Sequence, residues 1–333
     1  MDRERYVLAL MHLPGVARRT AWKAVHAIPE VPESAEELLA AVTKVKDIKN
    51  TFTRSDATEA WSAAGRLLER AEVLHIGVMA AIHPDFPCWV RNIPDPPLVL
   101  YFRGCPELAR DPFGIAVVGT REPTDYGNQV AHRFGQRAAE AGCVVISGLA
   151  VGCDAAGHRG CLDAKGRAVA VLAHGLDRVY PKSNEPLAQE ILDNRGCWVS
   201  EYPPGERAHR GYFVERDRLQ SALSCGLIIV ETDTVGGTMH TARFATDQGR
   251  LIACLSHPPK EASAAKARGN RQLIDERRAT PLATAEDLQG FLQRVRECAT
   301  QRTNGSEAAP VPTILQEPGG LFEGVDDGSG GSF

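Results

Sequence analysis

One stretch decides the fold class of this chain: Val171-Leu172-Ala173-His174-Gly175-Leu176-Asp177-Arg178-Val179-Tyr180-Pro181-Lys182-Ser183-Asn184. An apolar run ends at a glycine turn, and an acid, an aromatic–proline pair, a base and an asparagine at a possible helix start follow it. Near-continuous apolar runs of this kind are typical of strands buried on both faces of a parallel sheet. Polar residues and glycines collect where such strands end, which is where open α/β sheets bind ligands.

Four further segments have the same form. They are residues 115–121, 144–152, 197–205 and 227–231. Between the first two, residues 126–141 carry apolar side chains at helical spacing and end at Gly142, a helix-stop signal. The alternation of strands and helices is typical of βαβ units. We therefore predict an α/β fold over residues 113–298, a Rossmann-like, open, mainly parallel sheet with helices on both faces.

Residues 1–80 are predicted to form a small helical domain in front of the sheet. Leu13-Pro14-Gly15-Val16 lies between two short helical stretches, and Ser34 with Glu37 three residues later marks a helix start. The first turn is similar to the hairpin of helix-hairpin-helix or SAM-like modules, whose turn amides can meet a DNA phosphate. A plain turn between two small helices is the alternative interpretation.

Two other segments differ from the domains in composition. Five prolines between His83 and Gly104 exclude a helix there and predict that residues 81–112 are an extended connector. Residues 299–333 are predicted to be a disordered, acidic, glycine-rich tail. From residue 301 onward this segment holds seven glycines, three prolines, five acids and a single arginine, Arg302. Such a composition buries too little apolar surface to order itself.

The overall composition, 43% hydrophobic and 24% charged, is that of an ordinary soluble globular protein. The net charge is −4, so a nucleic acid would have to bind at a local basic patch. No apolar stretch approaches the roughly 20 residues that span a bilayer, and no signal-peptide core follows the N-terminus, which predicts a cytoplasmic location. The nine cysteines are scattered without a C-x-x-C pair, so we expect buried free thiols and no metal site.

The order of motifs from Gly119 to Asp287 resembles that of the DNA-processing protein A family (DprA, also called Smf). The motifs are Val118-Gly119-Thr120-Arg121 with Tyr126-Gly127; Ser147-Gly148-Leu149-Ala150 with Gly152, Asp154 and His158; Gly175-Leu176-Asp177 with Tyr180-Pro181 and Asn184; Ser200-Glu201-Tyr202-Pro203; Phe213 with Arg216 and Arg218; Thr241-Ala242; and Gly269-Asn270 with Leu273-Ile274 before Ala285-Glu286-Asp287-Leu288. Each motif alone is weak, whereas all of them in order make a strong signal.

The resemblance implies a non-enzymatic protein that binds single-stranded DNA and hands it to the RecA recombinase. It also implies a homodimer formed through the sheet domain, and no cofactor. Glycine turns let a backbone approach a phosphate, arginines supply planar charges, and an aromatic ring stacks unpaired bases. The predicted DNA- or phosphate-binding residues are Gly119, Thr120, Arg121, Ser147, Gly148, Lys182, Arg210, Phe213, Arg216, Arg218, Gly236, Gly237 and Thr238.

The chain also departs from the family pattern. Asp217 stands where the family has an asparagine between two arginines, and we predict that its carboxylate pairs with one of them or repels a phosphate. Three alternatives stay open: a regulatory or antitoxin component of a toxin or phage-defence system that binds DNA or an effector protein, a sensor of a small nucleotide, and a phosphoribohydrolase-like enzyme. Gly236-Gly237-Thr238 is similar to the hydrolase signature G-G-x-G-T-x-x-E, but Thr241 replaces its glutamate.

Overall fold

The computed structural model describes residues 2–28, 30–261 and 264–305. Helices occupy α1 Asp2–His12, α2 Arg18–Ala27, α3 Ala35–Val42, α4 Arg54–Val73, α5 Cys88–Arg91, α6 Asp125–Glu140, α7 Cys153–Asp163, α8 Glu185–Asp193, α9 Arg210–Ala222, α10 Gly237–Asp247, α11 Arg268–Asp275 and α12 Ala285–Gly305. Strands occupy β1 Gly77–Ala80, β2 Val99–Gly104, β3 Gly114–Val118, β4 Val144–Ser147, β5 Ala168–Leu172, β6 Cys197–Ser200, β7 Gly226–Ile229, β8 Leu251–Leu255 and β9 Thr280–Leu282.

The strands of the described residues form one sheet in the order β1-β2-β6-β5-β4-β3-β7-β8-β9. The strands from β6 to β9 in this order pair in parallel, and β2 pairs antiparallel with both β1 and β6. The predicted Rossmann-like, mainly parallel sheet behind a helical N-terminal region is confirmed. From β3 the chain proceeds outward to β6 and then returns to the other side of β3 as β7. The carboxyl ends of β3 and β7 therefore flank the topological switch point, where ligands of such sheets bind.

The hydrophobic core is centred on the middle of the sheet, because every residue of strands β3 to β7 is buried. Helices α6 and α7 pack against each other at a distance that only glycine permits. A Cβ on Gly135 would lie 1.9 Å from the carbonyl oxygen of Gly157, and one on Gly160 would lie 1.8 Å from that of His132. The close contact fixes the two helices that follow β3 and β4, and thereby the turns at the head of each helix.

The N-terminal helices have the capping residues that the sequence indicates. The hydroxyl of Ser34 accepts a hydrogen bond from the Glu37 amide at 3.2 Å and starts α3. Thr53 and Asp56 form a reciprocal capping box at the start of α4. The turn between α1 and α2 contains Gly15 with a φ of +73°, a left-handed conformation that favours glycine. No helix of the described residues is long and apolar enough to cross a membrane.

The sequence predicted a helical domain up to residue 80 and an extended connector without a helix over residues 81–112. The structure differs from both predictions between residues 77 and 112. Residues 77–80 form β1, and the apolar run of 98–102 forms most of β2, which hydrogen-bonds to the edge of the sheet at β6. One helical turn, α5, fits between Pro87 and Pro94, because proline is tolerated next to a helix N-terminus. The connector thus adds two antiparallel strands to the sheet.

The predicted tail also begins later than expected. Helix α12 runs to Gly305, and the Arg302 guanidinium donates to the carbonyl oxygen of Ser224 at 3.0 Å. Residues 299–305 are therefore helical, since the apolar face of α12 still packs at Ala299. The disorder predicted for residues 306–333 lies outside the described residues.

Candidate nucleic-acid interface

The switch point between β3 and β7 opens into a cavity of about 360 Å³. Its walls come from the turn after β3, the first turn of α7, the middle of α9 and the start of α10. Eight of the predicted site residues line this cavity: Gly119, Thr120, Arg121, Phe213, Arg216, Gly236, Gly237 and Thr238. Segments that are more than 100 residues apart in sequence thus form one pocket, because strands β3 and β7 are neighbours.

The turn that carries Arg121 is held by backbone hydrogen bonds. The Thr120 amide donates to the Glu231 carbonyl oxygen at 2.8 Å, and the Thr120 carbonyl accepts from the Cys153 amide at 3.1 Å. The Arg121 side chain is exposed, and its guanidinium carbon lies 4.9 Å from the centroid of the Phe213 ring. A cation and a stacking platform are therefore already in contact at the mouth of the pocket.

A carboxylate beneath this turn fixes the start of α6. Glu231 is fully buried and accepts hydrogen bonds from the Thr124 amide at 2.8 Å and the Thr124 hydroxyl at 2.7 Å. Burial raises the pKa of Glu231, but the hydrogen bonds from His257 and Thr124 outweigh burial and bring it below its usual value. Glu231 is a positioning residue that the sequence analysis did not single out.

Two aromatic pairs each include one ring from the first turn of α9. The rings of Tyr180 and Phe213 are 5.8 Å apart, and Tyr180 is 49% exposed. The rings of Tyr202 and Tyr212 stack at 4.0 Å, next to the exposed His209. Neither Tyr180 nor Tyr212 was among the predicted site residues. The pattern of an aromatic beside a base in Tyr180–Lys182 and in 209–213 is the signal that could have found them.

Arg216 and Asp217 lie under the pocket in a buried cluster with Asp154. The Arg216 Nη1 donates to the Val171 carbonyl at 3.3 Å, and its Nε lies 3.4 Å from Asp217 Oδ1. Burial raises the pKa of Asp217 to about 7, Arg216 opposes that rise, and the Asp154 carboxylate adds to it. Burial also raises the pKa of Asp154, again against the attraction of Arg216. The expected pairing of Asp217 with a neighbouring arginine is therefore present, with Arg216 as the partner.

Arg218 points away from the pocket into an ion-pair network. It is 3% exposed, and its Nη2 donates to both Glu201 carboxylate oxygens at 2.8 and 2.7 Å. Its Nε donates to the Asp95 carbonyl at 2.9 Å. The same acids bind Arg18 at the start of α2. Arg218 thus joins the N-terminal helices to the sheet and has no surface to offer a phosphate.

The turn after β4 also differs from the expectation of an open nest of amides. Asp154 Oδ2 accepts from the Gly148 amide at 3.1 Å and from the Ala150 amide at 3.5 Å. Ser147 is buried, and its hydroxyl donates to the Val117 carbonyl at 2.6 Å. A Cβ on Gly148 would lie 1.3 Å from Arg216 Nη1, so glycine makes room for that guanidinium. Ser147 and Gly148 support the pocket from below and do not face it.

The remaining predicted residues are placed as follows. Helix α10 begins at the pocket with Gly236 as its N-cap, at a φ of +145° and without a side-chain cap, so its first amides have no intrahelical partner. Arg210 is the exposed first residue of α9, one turn before Phe213 and on the same face. Lys182 is exposed in the short turn Lys182–Asn184, just after Tyr180, outside the pocket wall.

The family model described as "DNA recombination-mediator protein A" matches residues 77–293. The chain belongs to this family. Protein Smf of Synechocystis is 37% identical over 179 residues, which are 53% of this chain and 45% of that protein. DNA processing protein DprA of Bacillus subtilis is 33% identical over 215 residues, 65% of this chain and 72% of that protein. The chain thus spans about half the length of the Synechocystis relative and nearly three quarters of the Bacillus one.

Two solved structures of DNA processing protein A share the fold. The Streptococcus pneumoniae structure has a TM-score of 0.71 at 23% identity and covers 87% of this chain and 97% of that one. The Helicobacter pylori structure has a TM-score of 0.58 at 27% identity and covers 67% of this chain and 96% of that one. The latter is described for the single-stranded DNA-binding mode of that protein.

Proposed function

We propose that this chain binds single-stranded DNA across the pocket at the switch point and acts as a non-enzymatic recombination mediator. The observation that carries the proposal is the contact of Arg121 with Phe213 beside the uncapped start of α10. Phosphates are favoured both by guanidinium groups and by helix N-termini, and unpaired bases are favoured by exposed rings. A net charge of −4 is compatible with this, because the cations are gathered at one edge.

The proposed contact set consists of residues that are exposed or half-buried at the pocket and next to it. Phe213 and Tyr180 supply ring faces, Arg121, Arg210 and Lys182 supply cations, and Gly237 with Thr238 supply amides. Arg216 offsets part of the negative charge of Asp154 and Asp217 at the pocket floor. Ser147, Gly148 and Arg218 are left out of the direct contacts because their polar groups are buried and engaged.

The proposal includes no catalytic step. The position where a phosphoribohydrolase-like site needs a glutamate is Thr241, whose hydroxyl donates to the Gly237 carbonyl at 3.4 Å inside α10. The acids nearest to the pocket floor, Asp154 and Asp217, are bound to backbone amides or to Gln220 and Arg216. We further propose a RecA-type recombinase as the partner and a homodimer as the working form, both on the strength of the family.

Binding of labelled oligonucleotides, followed by fluorescence anisotropy, tests the pocket. We expect a single strand to bind tighter than the duplex of the same sequence, because stacking on Phe213 needs unpaired bases. Arg121→Ala and Arg210→Ala should each weaken binding and lower the slope of log K against log salt concentration by about 0.7. A mononucleotide competitor should displace the strand only weakly; efficient displacement would favour a nucleotide sensor instead.

Arg159→Ala is the matched control. Arg159 is exposed on α7 and forms no ion pair in the described part of the chain. Its loss removes the same charge at a site outside the pocket wall, so affinity and salt slope should stay at wild-type values. If the two pocket variants fold and bind the single strand like wild type, the pocket is not the site.

A further inference from the structure

The N-terminal helices carry a second group of cations that the pocket does not use. Arg19, Lys44, Lys46 and Lys49 are exposed, and none of their side chains forms a hydrogen bond or ion pair within residues 2–28, 30–261 and 264–305. Basic side chains on a protein surface commonly pair with nearby acids. Residues 42–50 contain three of these cations and one acid, Asp47, so this short segment carries a local excess of positive charge on a chain that is acidic overall.

Two contacts bring these cations to one face. Lys23 on α2 forms an ion pair with Asp47 at 2.9 Å, which places α2 beside Lys44 and Lys46. The Asn50 amide donates to the Pro14 carbonyl at 2.9 Å, which places Lys49 beside the exposed Pro14–Gly15 turn. We call this face, formed by the turn 13–16 with Arg19, Lys44, Lys46 and Lys49, the N-terminal basic surface.

A chain of side-chain contacts joins the start of α2, which carries Arg19, to the first turns of α9, which also carries the pocket residue Phe213. Arg18, next to Arg19, lies 3.3 Å from Glu201 at the end of β6 and 3.6 Å from Glu215 on α9. Glu215 in turn accepts from the Tyr202 hydroxyl at 3.1 Å, and Tyr202 stacks on Tyr212. The start of α2 is thus anchored at the carboxyl edge of the sheet, on the side where Arg210 and Tyr212 begin α9.

The chemistry of the two regions differs in one respect. The pocket rim presents rings, whereas the four aromatic residues of 2–76 in the described chain, Tyr6, Trp22, Phe52 and Trp61, are all buried. A single strand would gain no stacking there. A duplex needs no stacking platform, because its bases are paired and its phosphates have the higher charge density, about one charge per 1.7 Å of axis.

We propose that the N-terminal basic surface binds the phosphate backbone of duplex DNA, so that the protein's preferred ligand is a junction between a single strand and a duplex. The single strand occupies the pocket of the proposed function, on which this inference rests, and the adjoining duplex arm lies along Arg19 and the three lysines. Holding one DNA at two surfaces raises its affinity through effective concentration, without any new contact in the pocket.

The test compares four DNAs that share one strand: the strand alone, the strand with a duplex arm at its 5′ end or its 3′ end, and the blunt duplex. We expect one of the two junctions to bind about tenfold tighter than the strand alone. Its salt slope should be steeper by about 3.6, if Arg19 and each of the three lysines meet one duplex phosphate at about 0.9 per contact. Lys44→Glu/Lys46→Glu/Lys49→Glu should bring the junction down to the affinity of the strand alone and leave strand binding unchanged.

The matched control is Arg159→Glu/Lys165→Glu/Arg195→Glu, which makes the same change of charge at three exposed, unpaired residues of the described sheet domain. Lys165 and Arg195 lie at the opposite edge of the sheet, in the turns before β5 and β6. This control should keep the full junction preference, and both triple variants should keep the wild-type circular dichroism and melting temperature.

Two outcomes would overturn the inference: equal affinity of the wild type for both junctions and the strand, or a folded lysine variant that keeps the junction preference. The latter would leave an acidic protein as the ligand of this surface. Failure of the pocket is a different result, since Arg121→Ala would then leave strand binding intact. If the blunt duplex binds to the wild type and to the control variants but not to the triple lysine variant, the result would still support duplex binding at the N-terminal basic surface.

Discussion

Asp217 links the stability of this protein to pH, and Asp217→Asn isolates that link. The carboxyl is 7% exposed, accepts a hydrogen bond from the Gln220 amide at 2.8 Å and shares Arg216 with Asp154. Asparagine has the same shape, and its amide oxygen can keep the bond from Gln220. The substitution therefore removes a titratable charge with little change in packing.

The sign and size of the effect follow from the two pKa values. Burial, the largest cause, raises the pKa of Asp217 in the folded protein to about 7 from the usual 3.8. Between these values the folded state holds one proton more than the unfolded state, so the free energy of unfolding falls as pH rises toward 7 and levels off above it. From pH 5 to pH 8 the loss amounts to about 2–3 kcal/mol.

Urea unfolding of both proteins between pH 5 and pH 8, at constant ionic strength, measures this loss. The two proteins should have similar stability near pH 5, and the Asn variant should be more stable by about 2–3 kcal/mol at pH 8. His158, whose pKa burial lowers to about 4, titrates in both proteins and cancels in the difference. Asp275→Asn, an exposed unpaired acid on α11 in the described chain, controls for net charge.

A stability difference that stays constant from pH 5 to pH 8, or that shrinks as pH rises, would refute the reasoning. The carboxylate would then be stabilised in its ionised form by Arg216 more than burial opposes it. DNA binding offers a second readout of the same group, because an ionised Asp217 adds negative charge beneath the pocket. Asp217→Asn should therefore tighten single-strand binding at pH 8, by about 0.5–1.5 kcal/mol, and have less effect at pH 5.

Two further predictions concern structural contacts. Arg218→Ala should lower the free energy of unfolding by about 2–3 kcal/mol, measured in urea, because Glu201 loses both hydrogen bonds from Arg218 and keeps only Arg18 as an ion-pair partner; a loss below about 1 kcal/mol would show that water replaces the pair. Removing residues 306–333 should leave the melting temperature unchanged, because that segment has too few apolar residues to pack. Removing residues 301–333 should cost about 1–2 kcal/mol through the lost bond from Arg302 to Ser224, and equal melting temperatures for the two truncations would contradict this.

The sequence predicted the sheet because the apolar runs of the central strands are long and continuous. Val144–Ser147 and Ala168–Leu172 are buried at every position, so neither face of these strands is exposed to solvent. A continuous apolar run is the sequence pattern of such strands. The edge was harder to predict. Strand β2 follows a run of prolines, and only its pairing with β6 and the pairing of β1 with β2 show that both strands continue the sheet. Their strand character depends on tertiary pairing, which the local composition does not record.

The pocket was predicted from the same logic, and its errors have a common physical cause. Arg121, Phe213 and Gly236–Thr238 were expected to bind DNA from the family resemblance, and the structure brings them to one pocket because β3 and β7 are neighbours at the switch point. Arg216 and Arg218, by contrast, lie on one helix two residues apart and hence on different faces. A sequence shows two arginines in a basic segment, but it does not show that Asp95 and Glu201, more than 100 residues apart, come together to bind one of them.

The buried arginines also explain how an acid can stand between them. Arg218 is neutralised by Glu201 and Asp95, so Arg216 is the arginine that pairs with Asp217, and Asp217 shares that guanidinium with Asp154. One arginine cannot fully compensate two carboxylates in a buried site, which is why burial raises both pKa values. Protonation of Asp217 resolves the conflict at a pH near neutrality. The substitution of the family's asparagine by an acid therefore leaves the pocket floor close to neutral and makes its charge depend on pH.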